Sequence, residues 1–140
     1  MKKVLCENWY DPIYRRNFYV FIEEDWEKCR KFMRTKLSEP CEVERADNFA
    51  DAIMFPVSTS WSDLAGIAFW FPRKAGWEAS TYAHEAVHAC NMVFDKCGIK
   101  ANYENDEAQA YYVEYITKNI ESAIKNLRRR TAKANKKKRD

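Results

Sequence analysis

The chain has 140 residues, 46% of them apolar and 32% charged, which is enough for one buried core and too apolar for wholesale disorder. Three Gly and four Pro exclude a collagen-like or linker-rich chain. No run of about 18 apolar residues offers a membrane span, and the opening MKKVLCENWYDP lacks the apolar stretch of a secretory signal.

Charge is uneven along the chain. Residues 1–124 carry 15 basic against 20 acidic residues, a balance of −5. From Lys125 onward nine Lys/Arg meet one acid, a balance of +8. Five cysteines (Cys6, Cys29, Cys41, Cys90, Cys97) form an odd, unpatterned set, which suits a reducing compartment and a cytoplasmic location.

In chain order, Asn17–Ile22 is aromatic and β-branched and predicts a strand. Residues 24–37 predict a helix on the spacing of Trp26, Cys29, Phe32, Met33 and Leu37, stopped by Ser38-Glu39-Pro40. Residues 51–58 and 65–72 predict two strands joined by the polar stretch Ser58–Asp63. Pro56 places the first at an edge or ends it early. Ser80 or Thr81 is expected to cap a helix to about Lys96, with Gly98 as terminator. Asn105 or Asp106 is expected to cap a last helix to about Arg130, with Ile116, Ile120, Ala123, Ile124 and Leu127 as its buried stripe. The order predicts an α+β domain over 1–127 and a basic tail over 128–140. The sheet is expected to be short and mostly antiparallel, packed on two helices.

Residues 84–88 read His-Glu-Ala-Val-His, and the chain's two histidines are both in it. Two histidines and 13 glutamates placed at random give this arrangement roughly once in a thousand chains. Residues four apart share a helix face, so two imidazoles can hold one Zn²⁺. Glu85 lies about 100° around the helix, where it can take a proton from a zinc-bound water. The plainer alternative makes His84 and His88 polar positions on a surface helix, with Ala83, Val87, Cys90 and Phe94 as its apolar stripe.

A catalytic zinc needs a third protein ligand. Cys90 and Cys97 point away from the histidines and read as small buried apolar residues. Asn91 and Asp95 share the histidine face, but Asp95 lies about 10 Å along the axis from His88. The next acids are Glu104, Asp106 and Glu107. Glu107 is favoured because it sits furthest into the last helix, although an acid there also stabilises a helix N-terminus. Trp61, Trp70 and Trp77 read first as core, with a cleft lining by Trp70 and Trp77 as the alternative.

HEAVH, followed 19 residues after its second histidine by Glu-Ala-Gln-Ala, resembles the gluzincin branch of the zincin metallopeptidases. The Asn-Asp-Glu-Ala-Gln-Ala-Tyr stretch is similar to that of small phage and prophage HExxH proteins and, more loosely, of ImmA/IrrE-type peptidases. The resemblance covers roughly residues 65–128. It implies a zincin-like fold and a zinc peptidase with His84, His88 and Glu107 as ligands and Glu85 as general base. It also implies that the strand at 65–72 is the edge strand on which a peptide or protein substrate is laid. The chain departs from the pattern at Tyr111, where many gluzincins carry an Asp, and at Phe94, where a metzincin has its third histidine. With no further histidine, oxyanion stabilisation falls to Tyr111, Tyr103 or a mobile arginine. The different-class alternative is a catalytically silent zincin-like protein that binds a phage or host partner. The tail supplies cations for nucleic acid or an acidic partner, without the interleaved aromatics of a single-strand binding surface.

Overall fold

A computed structural model describes residues 3–37, 52–60, 63–72 and 78–140. Strands β1 (Leu5–Asp11) and β2 (Arg16–Ile22) precede helix α1 (Trp26–Lys36). Strands β3 (Ile53–Ser60) and β4 (Asp63–Phe71) follow, then α2 (Ala79–Lys96), a single 3₁₀ turn at Tyr103–Asn105, and α3 (Glu107–Arg139). The fold is α+β, as its pattern of elements predicts.

The strands form one mixed sheet in the order β1-β2-β4-β3. The outer pairs are antiparallel and the central β2–β4 pair is parallel. The central strands read as unbroken apolar runs because both of their faces are covered. Phe18, Val20 and Ile22 alternate with Tyr19 and Phe21, and Ile67, Phe69 and Phe71 alternate with Ala68 and Trp70. The first set of each strand meets α2 and α3, and the second meets α1 through Trp26, Cys29 and Met33. The result is three layers, α1 on one side and α2 with α3 on the other. Gly66 is needed where β2 and β4 approach, since a Cβ there would lie 2.3 Å from the Asn17 carbonyl oxygen.

Several expectations change. β1 is absent from the predicted elements because Glu7 and Asn8 interrupt its apolar residues on the outer strand of the sheet. The strand predicted at 65–72 is β4, an interior strand, so it offers no free edge. The outer strand beside it is β3, where Pro56 sits as its missing N–H requires. The stop signal at 38–40, Cys41, Trp61 and Trp77 lie outside the described residues. Trp70 is fully buried against Trp26 and lines no cleft.

Helix starts also differ. α1 is capped by Asp25, whose carboxylate accepts the Glu27 N–H at 3.0 Å. α2 begins one residue ahead of Ser80, after Glu78 and without a side-chain cap. It ends as expected, with Gly98 at φ 73°. α3 begins after Asp106, also without a side-chain cap bond. The expected stripe from Ile116 to Leu127 is buried, joined by Tyr112. The helix then continues to Arg139 rather than stopping near Arg130. Arg, Lys and Ala are good helix formers, and nothing between Arg130 and Arg139 breaks the turn. No helix among the described residues is long and apolar enough to cross a membrane.

Candidate metal centre

The site is built on α2. The helix docks on the sheet and α3 through Tyr82, Ala86, Ala89, Cys90, Val93 and Phe94. This face is rotated from the stripe the sequence predicts: Val87 is exposed and Ala83 only half-buried. Cys97, expected to be buried, is exposed at the helix end. The rotation carries Glu85 inward, to 7% exposure, and leaves His84 and His88 on the open flank.

The two imidazoles converge. His84 Nε2 and His88 Nε2 are 3.2 Å apart, with ring centroids at 4.9 Å and planes inclined at 74°. Two nitrogens each about 2.0–2.1 Å from one tetrahedral Zn²⁺ are separated by about 3.3 Å, so the spacing fits one shared cation.

Glu85 sits on the inner side of this pair. Burial pushes its carboxyl above the ordinary carboxylate range, and the two imidazoles and the Met54 N–H of β3 act in the opposite direction. The contact to Met54 links the carboxyl to the outer strand of the sheet. It depends on how α2 is rotated against β3, and no sequence spacing signals it.

The remaining candidates are dispersed. Glu107 is exposed at the first position of α3, and Tyr111 is exposed one turn later on the same face. Glu104, Asp106 and Tyr103 are exposed on the preceding turn, and Asp95 is exposed on α2. Among the described residues, no three His, Cys, Asp or Glu side chains gather into a metal-holding group. The expected trio of His84, His88 and Glu107 is therefore present as a pair plus a separate acid. The start of α3 is nonetheless tied to α2 beside the histidines. Gln109 Nε2 donates to Asn91 Oδ1 at 2.8 Å, and Asn91 is three residues beyond His88.

A second polar cluster, which motif reasoning misses, lies across the same layer. Asp11 is fully buried, and its carboxylate accepts the Ile13 N–H at 2.8 Å, the Tyr14 N–H at 3.3 Å and the Tyr112 hydroxyl at 2.6 Å. This holds the β1–β2 turn, with Arg15 at φ 56°, against α3. Burial, then the bond to Asp11, raises the Tyr112 hydroxyl far above its ordinary range. The Asp11-Pro12 pair is the sequence signal that could have found it, as an Asx turn.

No family model, curated protein or solved structure matches this chain.

Proposed function

We propose that the protein is a zinc-dependent hydrolase of zincin-like fold, most simply a peptidase. The observation that carries this reading is the His84–His88 nitrogen pair at a chelating separation, beside a buried Glu85 carboxyl. His84 and His88 would hold Zn²⁺, and Glu107, at the start of the neighbouring helix and apart from the pair in this structure, is the proposed third ligand. The bound ion supplies Lewis acidity that lowers the pKa of water and polarises a carbonyl.

The chain's own residues do the rest. Glu85 takes a proton from the attacking water and returns it to the leaving amine, a role its raised affinity for a proton suits. A peptide would lie along β3, the outermost strand beside β4 among the described residues and next to α2, because main-chain hydrogen bonds to a strand edge accept any sequence. This assigns to β3 the part that the family resemblance gave to residues 65–72. Tyr111 is the proposed donor to the developing oxyanion, since it lies on the same face of α3 as Glu107.

Metal analysis tests the reading. Purified protein is expected to carry about one equivalent of zinc, and His88→Ala to carry none. Glu85→Gln is expected to retain the metal and to lose hydrolysis of a casein or mixed-peptide substrate by about 10²-fold or more. Protein that binds no divalent ion, or a Glu85→Gln variant that hydrolyses normally, ends the proposal.

A further inference from the structure

The last turns of α3 lie beyond the hydrophobic core, whose final member is Leu127. Residues 128–139 nevertheless stay helical, a rod about 18 Å long. Eight of these twelve residues are Lys or Arg. They are not spread evenly by function. Arg130, Thr131, Ala134, Asn135 and Lys138 border an open groove against the start of β1 and Phe32. Arg130 fixes this side, with Nη2 at 2.6 Å from the Glu7 carboxylate and Nη1 at 3.4 Å from the Cys6 carbonyl.

At 100° per residue, Arg129, Lys133, Lys136 and Lys137 fall within about 100° of one another on another side of the rod. All four are exposed. Cations one turn apart repel and weaken a helix by a few tenths of a kcal/mol per pair, so a polyanion along this stripe would remove a cost the free protein carries.

We propose that this stripe is a sequence-independent dock for the phosphate backbone of double-stranded DNA. A rigid helix about 10–12 Å across matches the B-form major groove, about 12 Å wide, whereas the A-form RNA groove is too narrow for it. The residues past Leu127 include no large apolar side chain, so the rod lacks the wedge that an interfacial membrane helix buries. Four cations along one side of the rod match the regularly spaced phosphates of a duplex whatever its base sequence, which makes the contact one of charge. Residues 1–124, at −5, repel the same phosphates and confine the contact to the arm.

The test is fluorescence anisotropy of a labelled 20-base-pair DNA duplex, titrated with the full chain between 50 and 300 mM salt. Binding is expected in the micromolar to submillimolar range at 50 mM. The slope of log K against log salt should be about −3.5, for four phosphates neutralised, and equal for a duplex of shuffled sequence. The R129A/K133A/K136A/K137A variant should keep its helical circular dichroism and thermal midpoint. It should lose at least about tenfold in affinity, with the slope falling toward zero. The dock is independent of the zinc reading, so an H84A/H88A variant should bind the duplex unchanged. The proposal is overturned by no binding at 50 mM salt, or by an unchanged affinity in the four-alanine variant. Tighter binding to an RNA duplex or to phosphatidylserine vesicles, or displacement of the DNA by polyglutamate at equal charge, overturns it as well.

Discussion

Asp11 and Glu85 are both buried carboxylates on the same layer of the molecule, yet their surroundings differ. Asp11 accepts three donors, two from its own turn and one from Tyr112 on α3. Glu85 has one backbone N–H and two flanking imidazoles, and burial outweighs them. A fully paired buried charge fixes geometry, because removing it leaves several donors without partners. An incompletely paired one stays ready to exchange a proton. The same residue class thus serves as scaffold in one place and as candidate chemistry in the other.

The largest effect should come from breaking the scaffold side. Asp11→Ala strands two backbone N–H groups and the Tyr112 hydroxyl, and is expected to cost about 2–4 kcal/mol. Urea unfolding should show this as a lower midpoint at constant slope. A loss under 1 kcal/mol would mean that the turn does not depend on the carboxylate.

Next in size is the effect of zinc on the other side. Zinc at about a hundred times its Kd should stabilise the metal-free protein by about 2.7 kcal/mol. His84→Ala and His88→Ala should each abolish that gain while changing the stability of the metal-free protein by less than about 0.5 kcal/mol, since both side chains are exposed. Differential scanning calorimetry with and without chelator measures both quantities. A variant that keeps the zinc response excludes the histidine pair as its source.

Tyr112→Phe isolates one bond of the Asp11 cluster. It keeps the ring stacked on Phe94 and Tyr115 and deletes only the hydroxyl, so about 1–2 kcal/mol should be lost. Asp11→Ala and Tyr112→Phe should be strongly non-additive in a double-mutant cycle, because they remove the same interaction.

Sequence patterns made one half of this comparison visible and hid the other. The imidazole pair is legible because four residues make nearly one helical turn, whatever the helix packs against. β2 and β4 are legible because strands buried on both faces must be apolar throughout. The burial of Glu85 is not legible. Two stripes one residue apart, Ala83-Val87-Cys90-Phe94 and Tyr82-Ala86-Ala89-Val93, compete for the core and differ by about 100° of rotation. The buried face takes the whole of the second and keeps Cys90 and Phe94 of the first, while Val87 is exposed and Ala83 half-buried, so it is shifted toward Glu85, which turns inward with it. The proposed third ligand is equally hidden, since the position of Glu107 depends on how the chain from Cys97 to Asp106 returns α3 to α2. The length of α3 is hidden for a different reason. A dense run of cations reads as a solvated end, yet the residues that carry the charge are also good helix formers.

The smallest predicted effect bears most directly on Glu85. Its carboxyl binds a proton more tightly in the folded chain than in the unfolded one. Its contribution to stability is therefore complete at acidic pH, below the ordinary carboxylate range, and is lost as pH rises through the folded value. Gln has no charge to desolvate, and its amide oxygen can still accept the Met54 N–H. In metal-free protein, Glu85→Gln should match the wild type near the acid end and exceed it at neutral pH. The difference there should be about 1–3 °C in midpoint, the scale of a few tenths of a kcal/mol for a domain of this size. A gap that widens toward acid instead would mean that the Met54 N–H and the two imidazoles outweigh burial and hold the carboxylate in its charged form.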